Sequence, residues 1–376
     1  MNKKVKYSII HFLGSGDVGG KERALYNLFL AFKDQPDYQL AIATFNIDSH
    51  YVRRIRELGF QAIDLKTNSF FDLIPKPGLA KILTEYKIYH HHDSTPRLIL
   101  LSLFCRKKNK LVQTRRGGLE YVDRQSFKKK LKIWIRSFLY NKYFLGFSGI
   151  SRVSILSLEK DYRIVNKKKL LTRNYFDHKR INFNRQREAV NLELNLSNND
   201  FVIGYFGHLV KLKRIDLLIR AFSKLKISEK KLLIIGRGPE RDELARIIDK
   251  LNLKEKVILL EEKKEIFDYY QVLKCFVLPS NSREGWSNSA AEALFLGIPT
   301  IIMSDNFGSQ DFIIDNFTGF IANNELDLTN TLQKVHDDFD YAKSIASNGS
   351  DFMVKNYSLS NSINDYIELY KEVLNE

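Results

Sequence analysis

Residues 279–293 have the sequence PSNSREGWSNSAAEA and follow the apolar run Cys275–Leu278. An apolar strand, a small polar loop and a helix in this order are typical of α/β proteins, in which ligands bind at the carboxyl ends of the strands. Glu284 and Glu292 are eight residues apart, a little over two helical turns. With Glu284 in the loop and Glu292 in the helix, we expect both carboxylates to face one ligand. Two solvated glutamates on a surface helix are the alternative.

The same loop has features that suit a phosphate group. Gly285 lets the backbone approach a ligand closely, because it has no Cβ. Asn288 and Ser289 stand at the predicted start of the helix, where backbone N–H groups without intrahelical partners bind anions. The loop therefore offers carboxylates for hydroxyl groups and N–H groups for a phosphate.

Two more loops occupy the same predicted edge of the sheet. Residues 207–214, GHLVKLKR, follow the apolar run Phe201–Phe206, and residues 236–241, GRGPER, follow Lys231–Ile235. Because the carboxyl ends of parallel strands meet at one edge, the three loops together supply glycines, cations and two carboxylates. A ligand that carries a diphosphate and several hydroxyl groups requires this combination.

Strands and helices alternate along the whole chain. The other predicted strands are apolar runs at Lys6–Leu13, Gln39–Phe45, Ala62–Leu65, Ile88–His91, Leu111–Thr114, Gly146–Ile150, Val257–Leu260 and Thr300–Met303. This alternation predicts the α/β class, with parallel sheets covered by helices on both faces. The 376 residues suffice for two such domains. We predict domains at residues 1–183 and 198–357, with helix 358–376 crossing back to the first domain.

Charge is unevenly distributed between the two halves. The net charge is +16. Residues 1–187 contain 38 Lys/Arg and 15 Asp/Glu, a balance of +23. Residues 188–376 contain 22 Lys/Arg and 29 Asp/Glu, a balance of −7. A one-sided basic domain favours an anionic partner.

The two cysteines, Cys105 and Cys275, exclude a disulfide scaffold and fit a reducing compartment. Because no run is long and apolar enough for a spanning helix, we expect a cytoplasmic protein.

The segment Phe127–Phe144 combines basic and aromatic residues. Lys128, Lys132 and Arg136 recur at helical spacing and predict one basic stripe. One interpretation is a helix lying on an anionic membrane surface, with lysines at the headgroups and aromatic rings inserted. The other is a core helix with a solvated basic face.

Residues 90–93, HHHD, suggest a metal site, because His90 and His92 of a strand point the same way. No third ligand is evident nearby in the sequence, so we predict no metal. We place His92 instead in a cleft that binds a second substrate, an acceptor. The glycines at 14, 16, 19 and 20 match a dinucleotide-binding spacing. However, no acidic residue ends a second strand about 20 residues later, where the ribose contact is required. Hydride transfer is therefore disfavoured.

In this order the motifs resemble those of the retaining GT-B glycosyltransferases of family 4. The resemblance covers nearly the whole chain. It rests on GGKER at 19–23, the loops at 207–214 and 236–239, the two glutamates, GIPT at 297–300 and TGF at 318–320. It implies two doubly wound, Rossmann-like domains that face a central cleft.

The resemblance also implies roles for individual residues. Lys213 resembles the lysine that neutralises the donor diphosphate, Glu284 the carboxylate that binds the donor sugar, and Glu292 the one that binds the ribose. The candidate catalytic residues are Lys213, Glu284, His208, His92 and Arg116. The candidate donor-binding residues are Gly19, Gly20, Gly207, Arg237, Gly238, Pro239, Gly285, Trp286, Asn288, Ser289 and Glu292. The candidate acceptor- or membrane-binding residues are Arg115, Lys128, Lys129, Lys132 and Trp134.

The sequence departs from the family pattern at three positions. Tyr175 follows Asn174 where the family usually has Asn-Gly, so we expect a different loop between the domains. His208 stands where the family usually has an arginine, so an imidazole replaces a permanent charge and Lys213 carries more of the electrostatic work. Residues 114–117, TRRG, stand where many members have Thr-x-His-Gly. We therefore expect Arg115 or Arg116 to replace the usual histidine.

Together these features predict a retaining glycosyltransferase that needs no metal or other cofactor. The predicted donor is a nucleotide diphosphate-sugar, with a UDP-sugar favoured, and the acceptor is a hydroxyl group of a lipid-linked or cell-envelope glycan such as lipopolysaccharide or capsule. We expect a peripheral location on the inner face of the cytoplasmic membrane and no nucleic-acid partner. Two alternatives stay open: a GT-B nucleotide-sugar epimerase, and a non-catalytic basic protein that binds membrane or nucleic acid.

Overall fold

The structure is a computed structural model, which describes residues 6–14, 20–65, 77–105, 109–120, 126–175 and 181–375. The chain divides into two compact units. Unit 1 comprises Met1–Tyr175 and Leu359–Glu376, and unit 2 comprises Phe176–Ser358.

Unit 1 is built around a parallel sheet with the strand order β3-β2-β1-β4-β5-β6-β7 in the described residues. The strands are β1 (Tyr7–Leu13), β2 (Tyr38–Thr44), β3 (Gln61–Asp64), β4 (Ile88–His92), β5 (Lys110–Arg115), β6 (Phe144–Gly149) and β7 (Lys169–Leu171). The helices are α1 (Gly20–Phe32), α2 (His50–Glu57), α3 (Pro77–Leu83), α4 (Pro96–Phe104), α5 (Phe127–Tyr143), α6 (Arg152–Lys160) and α14 (Leu359–Leu374). The strand order reverses between β1 and β4, as in doubly wound sheets.

Helices cover both faces of this sheet. On one face, α1 and α14 pack against a cluster that includes Ile9 and Val112. On the other face, α4 and α5 pack against a cluster that includes Phe12 and Tyr89. Helix α14 lies so close to β6 that a Cβ on Gly146 would stand 2.3 Å from a methyl group of Val373.

Unit 2 is built around a second parallel sheet, with the strand order β10-β9-β8-β11-β12-β13 in the described residues. The strands are β8 (Phe201–Phe206), β9 (Lys230–Ile235), β10 (Val257–Leu260), β11 (Cys275–Leu278), β12 (Thr300–Met303) and β13 (Phe320–Ala322). The helices are α7 (Arg187–Glu193), α8 (Ile215–Ser223), α9 (Arg241–Lys250), α10 (Phe267–Tyr270), α11 (Asn288–Phe295), α12 (Glu325–Asp337) and α13 (Phe339–Asn356). The predicted α/β class with two doubly wound sheets is confirmed.

The polar stretch around residue 185 belongs to unit 2. The backbone N–H of Asn184 and the guanidinium of Arg185 both donate to the Asp268 carboxylate, at 2.7 and 3.0 Å. Asp268 is buried, so these bonds anchor the stretch to the unit. The unit boundary therefore lies after Tyr175, earlier than the sequence predicted.

Candidate active site

The loops after β8 and β9 are held against each other by their backbones. The N–H of Leu209 donates to the carbonyl of Arg237 at 2.8 Å. A Cβ on Gly236 would stand 1.8 Å from the carbonyl oxygen of Gly207, and a Cβ on Gly238 would stand 2.3 Å from that of Leu209. Because a side chain fits at neither position, these glycines let two of the predicted loops form one platform at the carboxyl end of the sheet.

Lys213 and Glu284, predicted to bind different parts of a donor, form an ion pair with each other. Lys213 ends a 3₁₀ turn after β8, and Glu284 lies in the loop after the neighbouring strand β11. Their side chains are 14% and 13% exposed, so the pair is mostly buried. Each charge neutralises the other.

Arg214, which the sequence analysis did not single out, joins the same loops. Its backbone adopts a left-handed conformation at φ 46°. Its Nε donates to the carbonyl of Pro279 at 2.8 Å, and its terminal nitrogens pair with the Asp305 carboxylate at 2.6 and 3.0 Å. Arg214 thereby fixes the backbone next to Lys213. No sequence pattern indicated this, because Asp305 is 91 residues away.

Helix α11 carries the second carboxylate. The Ser287 hydroxyl caps the N-terminus of the helix, and Asn288 and Ser289 form its first turn. Glu292 is buried, and its carboxylate accepts a hydrogen bond from the Tyr270 hydroxyl at 3.0 Å. The same hydroxyl lies 3.0 Å from the carbonyl of Ser289. Tyr270 therefore fixes the orientation of Glu292 relative to the start of the helix.

Trp286 and Gly285 pack into the body of unit 2. The Trp286 ring lies against Phe312 and Tyr357, with ring centroids 4.7 and 4.9 Å apart, and the residue is 9% exposed. A Cβ on Gly308 would stand 2.8 Å from the Gly285 carbonyl oxygen. The Trp286 ring therefore packs against two distant aromatic residues of unit 2, and its contact with a donor stays a prediction.

The candidate catalytic residue His208 and the remaining predicted donor residues lie on the surface or outside the described residues. His208, Arg237 and Pro239 are exposed, and Arg237 pairs with Glu262 at 2.9 Å. In unit 1, Gly20 is the exposed first residue of α1. Gly19 lies outside the described residues.

A buried polar network crosses one face of the unit 1 sheet. Nitrogen atoms of His11 in β1 and of His90 and His92 in β4 lie within 4.8 Å of one another, and His11 Nδ1 is 2.9 Å from His92 Nε2. His90 contacts the Thr114 hydroxyl at 2.6 Å and the Tyr370 hydroxyl at 3.0 Å. The sequence missed His11, which is 81 residues from His92 and becomes its neighbour only through strand pairing.

These three imidazoles are neutral at pH 7. Burial lowers the pKa of His11 to about 3 and the pKa values of His90 and His92 well below their ordinary value. The nearby positive charge of Arg116 lowers all three pKa values further. Neutral imidazoles at this separation are suited to a metal ion, but hydrogen bonds occupy both nitrogens of His90 and of His92. The absence of a metal requirement stays a prediction.

Arg116 lies over this network. Its Nε donates to His92 Nδ1, and its terminal nitrogens donate to the Asn174 side chain and to the Tyr366 hydroxyl, all at 3.2 Å. His92 is 2% exposed, whereas Arg116 is 7% exposed. The His92 side chain, predicted to contact an acceptor, is therefore buried, and the Arg116 guanidinium is one of its hydrogen-bond partners.

Arg115 has a different environment from its neighbour. Its guanidinium forms ion pairs with Asp93 and Glu120, each at 3.0 Å, and it is 5% exposed. Burial alone would raise the pKa of Asp93, but the charges of Arg115 and Lys21 and the N–H of Arg116 lower it to about 2. The assignment of Arg115 to an acceptor or membrane surface is corrected, because two carboxylates hold its charge inside unit 1.

Helix α5 exposes both lysines and apolar side chains. Lys128, Lys129 and Lys132 are exposed. Four apolar residues lie on one helical face and are also exposed: Phe127 by 79%, Leu131 by 44%, Trp134 by 66% and Phe138 by 51%. Arg136 departs from the predicted stripe and turns toward Glu120, 3.5 Å away. Among the described helices, none combines the length and hydropathy needed to cross a bilayer.

Comparison with known proteins assigns most of unit 2 to a family. Residues 186–352 match the family model for Glycosyl transferases group 1. Residues 186–352 therefore form a domain of the family Glycosyl transferases group 1. The group 1 domain contains Lys213, Glu284, Glu292 and all three predicted loops. The match confirms the resemblance seen in the sequence at the level of group 1.

Similar sequences carry glycosyltransferase names. A glycosyltransferase of Methanocaldococcus jannaschii, described as uncharacterized, is 27% identical over 251 residues, which cover 62% of this chain and 60% of that protein. The N-acetylgalactosamine-N,N'-diacetylbacillosaminyl-diphospho-undecaprenol 4-alpha-N-acetylgalactosaminyltransferase of Campylobacter jejuni is 34% identical over 126 residues, which cover 34% of this chain and 33% of that enzyme. The chain thus spans between a third and three-fifths of the length of these relatives.

The fold is shared with solved structures. The crystal structure of Anabaena HepE in complex with UDP and glucose superimposes with a TM-score of 0.79 and 18% sequence identity, over 97% of this chain and 99% of that chain. At this identity the likeness establishes the fold alone. The chain therefore has the GT-B fold that the sequence predicted.

Proposed function

We propose that this chain is a retaining, metal-independent glycosyltransferase that transfers a sugar from a UDP-sugar to a hydroxyl group of a lipid-linked or cell-envelope glycan. The observation that carries the proposal is the Lys213–Glu284 pair, formed by two loops at the carboxyl edge of the unit 2 sheet. Helix α11 begins at Asn288, four residues after Glu284, and carries Glu292. The UDP and glucose bound by HepE support the donor class, and the name of the Campylobacter enzyme supports a lipid-diphosphate-linked acceptor.

In the proposed complex the donor separates this ion pair. The diphosphate carries more negative charge than a carboxylate, so it competes with Glu284 for the Lys213 ammonium group. Glu284 then accepts hydrogen bonds from hydroxyl groups of the donor sugar. The N–H groups of the first turn of α11 add partial positive charge for the phosphates, and Glu292, held by Tyr270, accepts the ribose hydroxyl groups.

The proposed reaction exchanges two bonds on one face of the sugar. The bond between the anomeric carbon and the β-phosphate oxygen breaks, and a bond to the acceptor oxygen forms. The departing phosphate oxygen takes the proton of the acceptor hydroxyl group. Lys213 and the N–H groups of α11 stabilise the negative charge that develops on the phosphate. The protein thus supplies the counter-charge that a divalent ion would otherwise provide.

The test is nucleotide binding followed by product analysis. UDP should raise the melting temperature of the protein, because a ligand that binds only the native state stabilises it. Lys213→Ala should remove this shift, whereas Lys211→Ala, in the same 3₁₀ turn, should retain it. The anomeric configuration of the sugar transferred from the UDP-sugar, read by NMR, tests retention. Absence of any UDP-dependent shift in the wild type, or an inverted product, would contradict the proposal.

We also propose that α5 binds the surface of anionic membranes. Its exposed face combines Trp134, Phe138, Phe127 and Leu131 with flanking lysines, which suits insertion of apolar side chains below anionic headgroups. Each Lys or Arg near such a surface contributes about 1 kcal/mol. Recruitment by several lysines would therefore be reversible and sensitive to salt.

The membrane proposal is tested by co-sedimentation with neutral and anionic vesicles at rising salt. Replacing Lys128, Lys129 and Lys132 with glutamate should weaken binding to anionic vesicles and spare transfer to a short soluble acceptor. The matched control replaces Lys33, Lys81 and Lys160, which are exposed elsewhere on unit 1. Equal binding of the wild type to both kinds of vesicle would exclude this role for α5.

A further inference from the structure

The Arg116 guanidinium is a buried positive charge without a counter-ion among the described residues. It is 7% exposed, and no carboxylate of the described chain lies within 4.0 Å of its nitrogens. Its three contacts are the neutral groups of His92, Asn174 and Tyr366. A buried charge is costly unless it is paired, so this arrangement requires an explanation.

The nearest carboxylate does not neutralise Arg116. Asp93 accepts a hydrogen bond from the backbone N–H of Arg116 at 2.9 Å, but its ion pair is with the Arg115 guanidinium. Lys21 of α1 lies 4.0 Å from the same carboxylate and adds a further positive charge. Glu120 adds a second carboxylate, but it pairs with both Arg115 and Arg136. The cluster therefore contains four cations and two carboxylates, and the nearby histidines are neutral, so positive charge exceeds negative charge.

Hydrogen-bond donors in this cluster also lack acceptors. A guanidinium has five N–H groups. Arg116 donates three of them to described residues, so one N–H on each terminal nitrogen has no acceptor in the described part of the chain. Because Arg116 donates to His92 Nδ1, the neutral His92 ring carries its proton on Nε2 and donates it to His11 Nδ1. The His11 proton is then on Nε2, which is buried and has no partner among the described residues. In total, three N–H groups of Arg116 and His11 have no acceptor among the described residues.

We propose that Arg116 binds an anionic oxygen group of the substrate, either a phosphate or a carboxylate, and so makes this glycosyltransferase selective for a charged substrate. One free N–H on each terminal nitrogen suits two oxygen atoms of one group, the geometry in which arginine binds carboxylate and phosphate. The inference rests on the proposed function, because that function defines the substrate. The anionic group comes either from the acceptor, as a phosphate, or from the donor sugar, as a carboxylate.

The first experiment measures thermal stability without substrate. Arg116→Gln removes an unpaired buried charge and keeps two N–H donors, so its melting temperature should equal or exceed that of the wild type. The matched control is Arg115→Gln, which leaves the buried Asp93 without its partner and should lower the melting temperature by several degrees. A fall for Arg116→Gln as large as for Arg115→Gln would show a structural role and overturn the inference.

The second experiment uses inorganic phosphate as the probe, at constant ionic strength with chloride as the reference. Phosphate should raise the melting temperature of the wild type. In Arg116→Gln, the phosphate concentration that gives half of this rise should increase by roughly tenfold or more, the scale for losing a hydrogen bond to a charged group. Arg116→Lys, which keeps the charge, should bind more tightly than Arg116→Gln. An unchanged phosphate response in Arg116→Gln would overturn the inference.

Lys213→Ala separates this anion site from the donor site of unit 2. If the phosphate effect is lost in Lys213→Ala and kept in Arg116→Gln, the anion site lies in unit 2 and the inference is wrong. If UDP does not bind the wild type but phosphate binding depends on Arg116, the proposed function fails and the anion site stands. The two failures are therefore distinguishable.

Steady-state kinetics distinguish the two sources of the anion. If the donor carries it, the wild type should prefer UDP-glucuronate over UDP-glucose, and Arg116→Gln should abolish that preference. If the acceptor carries it, Arg116→Gln should raise the KM for a short polyprenyl diphosphate-linked sugar and leave the KM for the donor unchanged. Equal losses with charged and uncharged substrates would overturn the selectivity.

Discussion

Replacing Asp93 tests how unit 1 holds a buried carboxylate between two arginines. In Asp93→Asn, the Arg115 guanidinium keeps only Glu120 as a carboxylate partner. Asp93 has a pKa of about 2 in the folded protein, compared with an ordinary value of 3.8. Each pKa unit corresponds to 1.36 kcal/mol, so ionised Asp93 contributes about 2 kcal/mol to the free energy of unfolding at pH 7.

The sign of the pH dependence follows from the lowered pKa. The folded state holds the Asp93 proton less tightly than the unfolded state does, so the contribution is complete above the unfolded pKa and is lost as the pH falls toward 2. At pH 3 about half of the Asp93 contribution to the free energy of unfolding should remain. The stability difference between wild type and Asp93→Asn should therefore shrink by about 1 kcal/mol between pH 7 and pH 3.

The assay must report unit 1 separately from unit 2. We suggest equilibrium unfolding in urea at pH 7, 4 and 3, followed by a brief deuterium pulse and mass spectrometry of peptides from β4 and β5. Asp34→Asn, a change of an exposed aspartate in the same unit, is the control. The reasoning would be refuted if the stability difference between wild type and Asp93→Asn were the same at pH 7 and pH 3. It would also be refuted if that difference were no larger than the one caused by Asp34→Asn.

Three further predictions concern the proposed transferase. Lys213→Ala should lower turnover by roughly two to three orders of magnitude, the scale for one preorganised charge; turnover equal to that of Lys211→Ala would remove Lys213 from the mechanism. Transfer should survive EDTA, because the protein supplies the counter-charge; loss that manganese restores would indicate a metal site. Gly236→Ala should lower the free energy of unfolding of unit 2 by about 2 kcal/mol or more, because its Cβ would stand 1.8 Å from the Gly207 carbonyl oxygen; an unchanged urea midpoint would contradict the predicted clash.

Much of the fold could be predicted because its strands are buried on both faces. Such strands are apolar runs bounded by glycine or polar residues, so β8 and β11 match the predicted runs residue for residue. The three-residue strands β7 and β13 were missed, since a period of two cannot be recognised in so few residues. Their pairing is set by neighbouring strands rather than by their own sequences.

The candidate site could be predicted as loops but not as side-chain partners. Local sequence placed Lys213 and Glu284 at one sheet edge, but their pairing depends on a contact across 71 residues. Arg115 and Arg116 are chemically identical and adjacent, yet the Asp93 carboxylate pairs with only the first guanidinium. Which arginine is neutralised is decided by tertiary structure, and a single sequence carries no local signal for it.

The return of the chain to unit 1 has a consequence for biosynthesis. Unit 2 is an insertion between Tyr175 and Leu359, so a ribosome completes all of it before α14 emerges. In the folded protein, Tyr366 and Tyr370 of α14 are buried against one face of the unit 1 sheet. Until α14 emerges, this face lacks these side chains. At about 5–20 residues per second the wait is on the order of ten to forty seconds. Most of unit 1 is therefore made first, but its core is completed last.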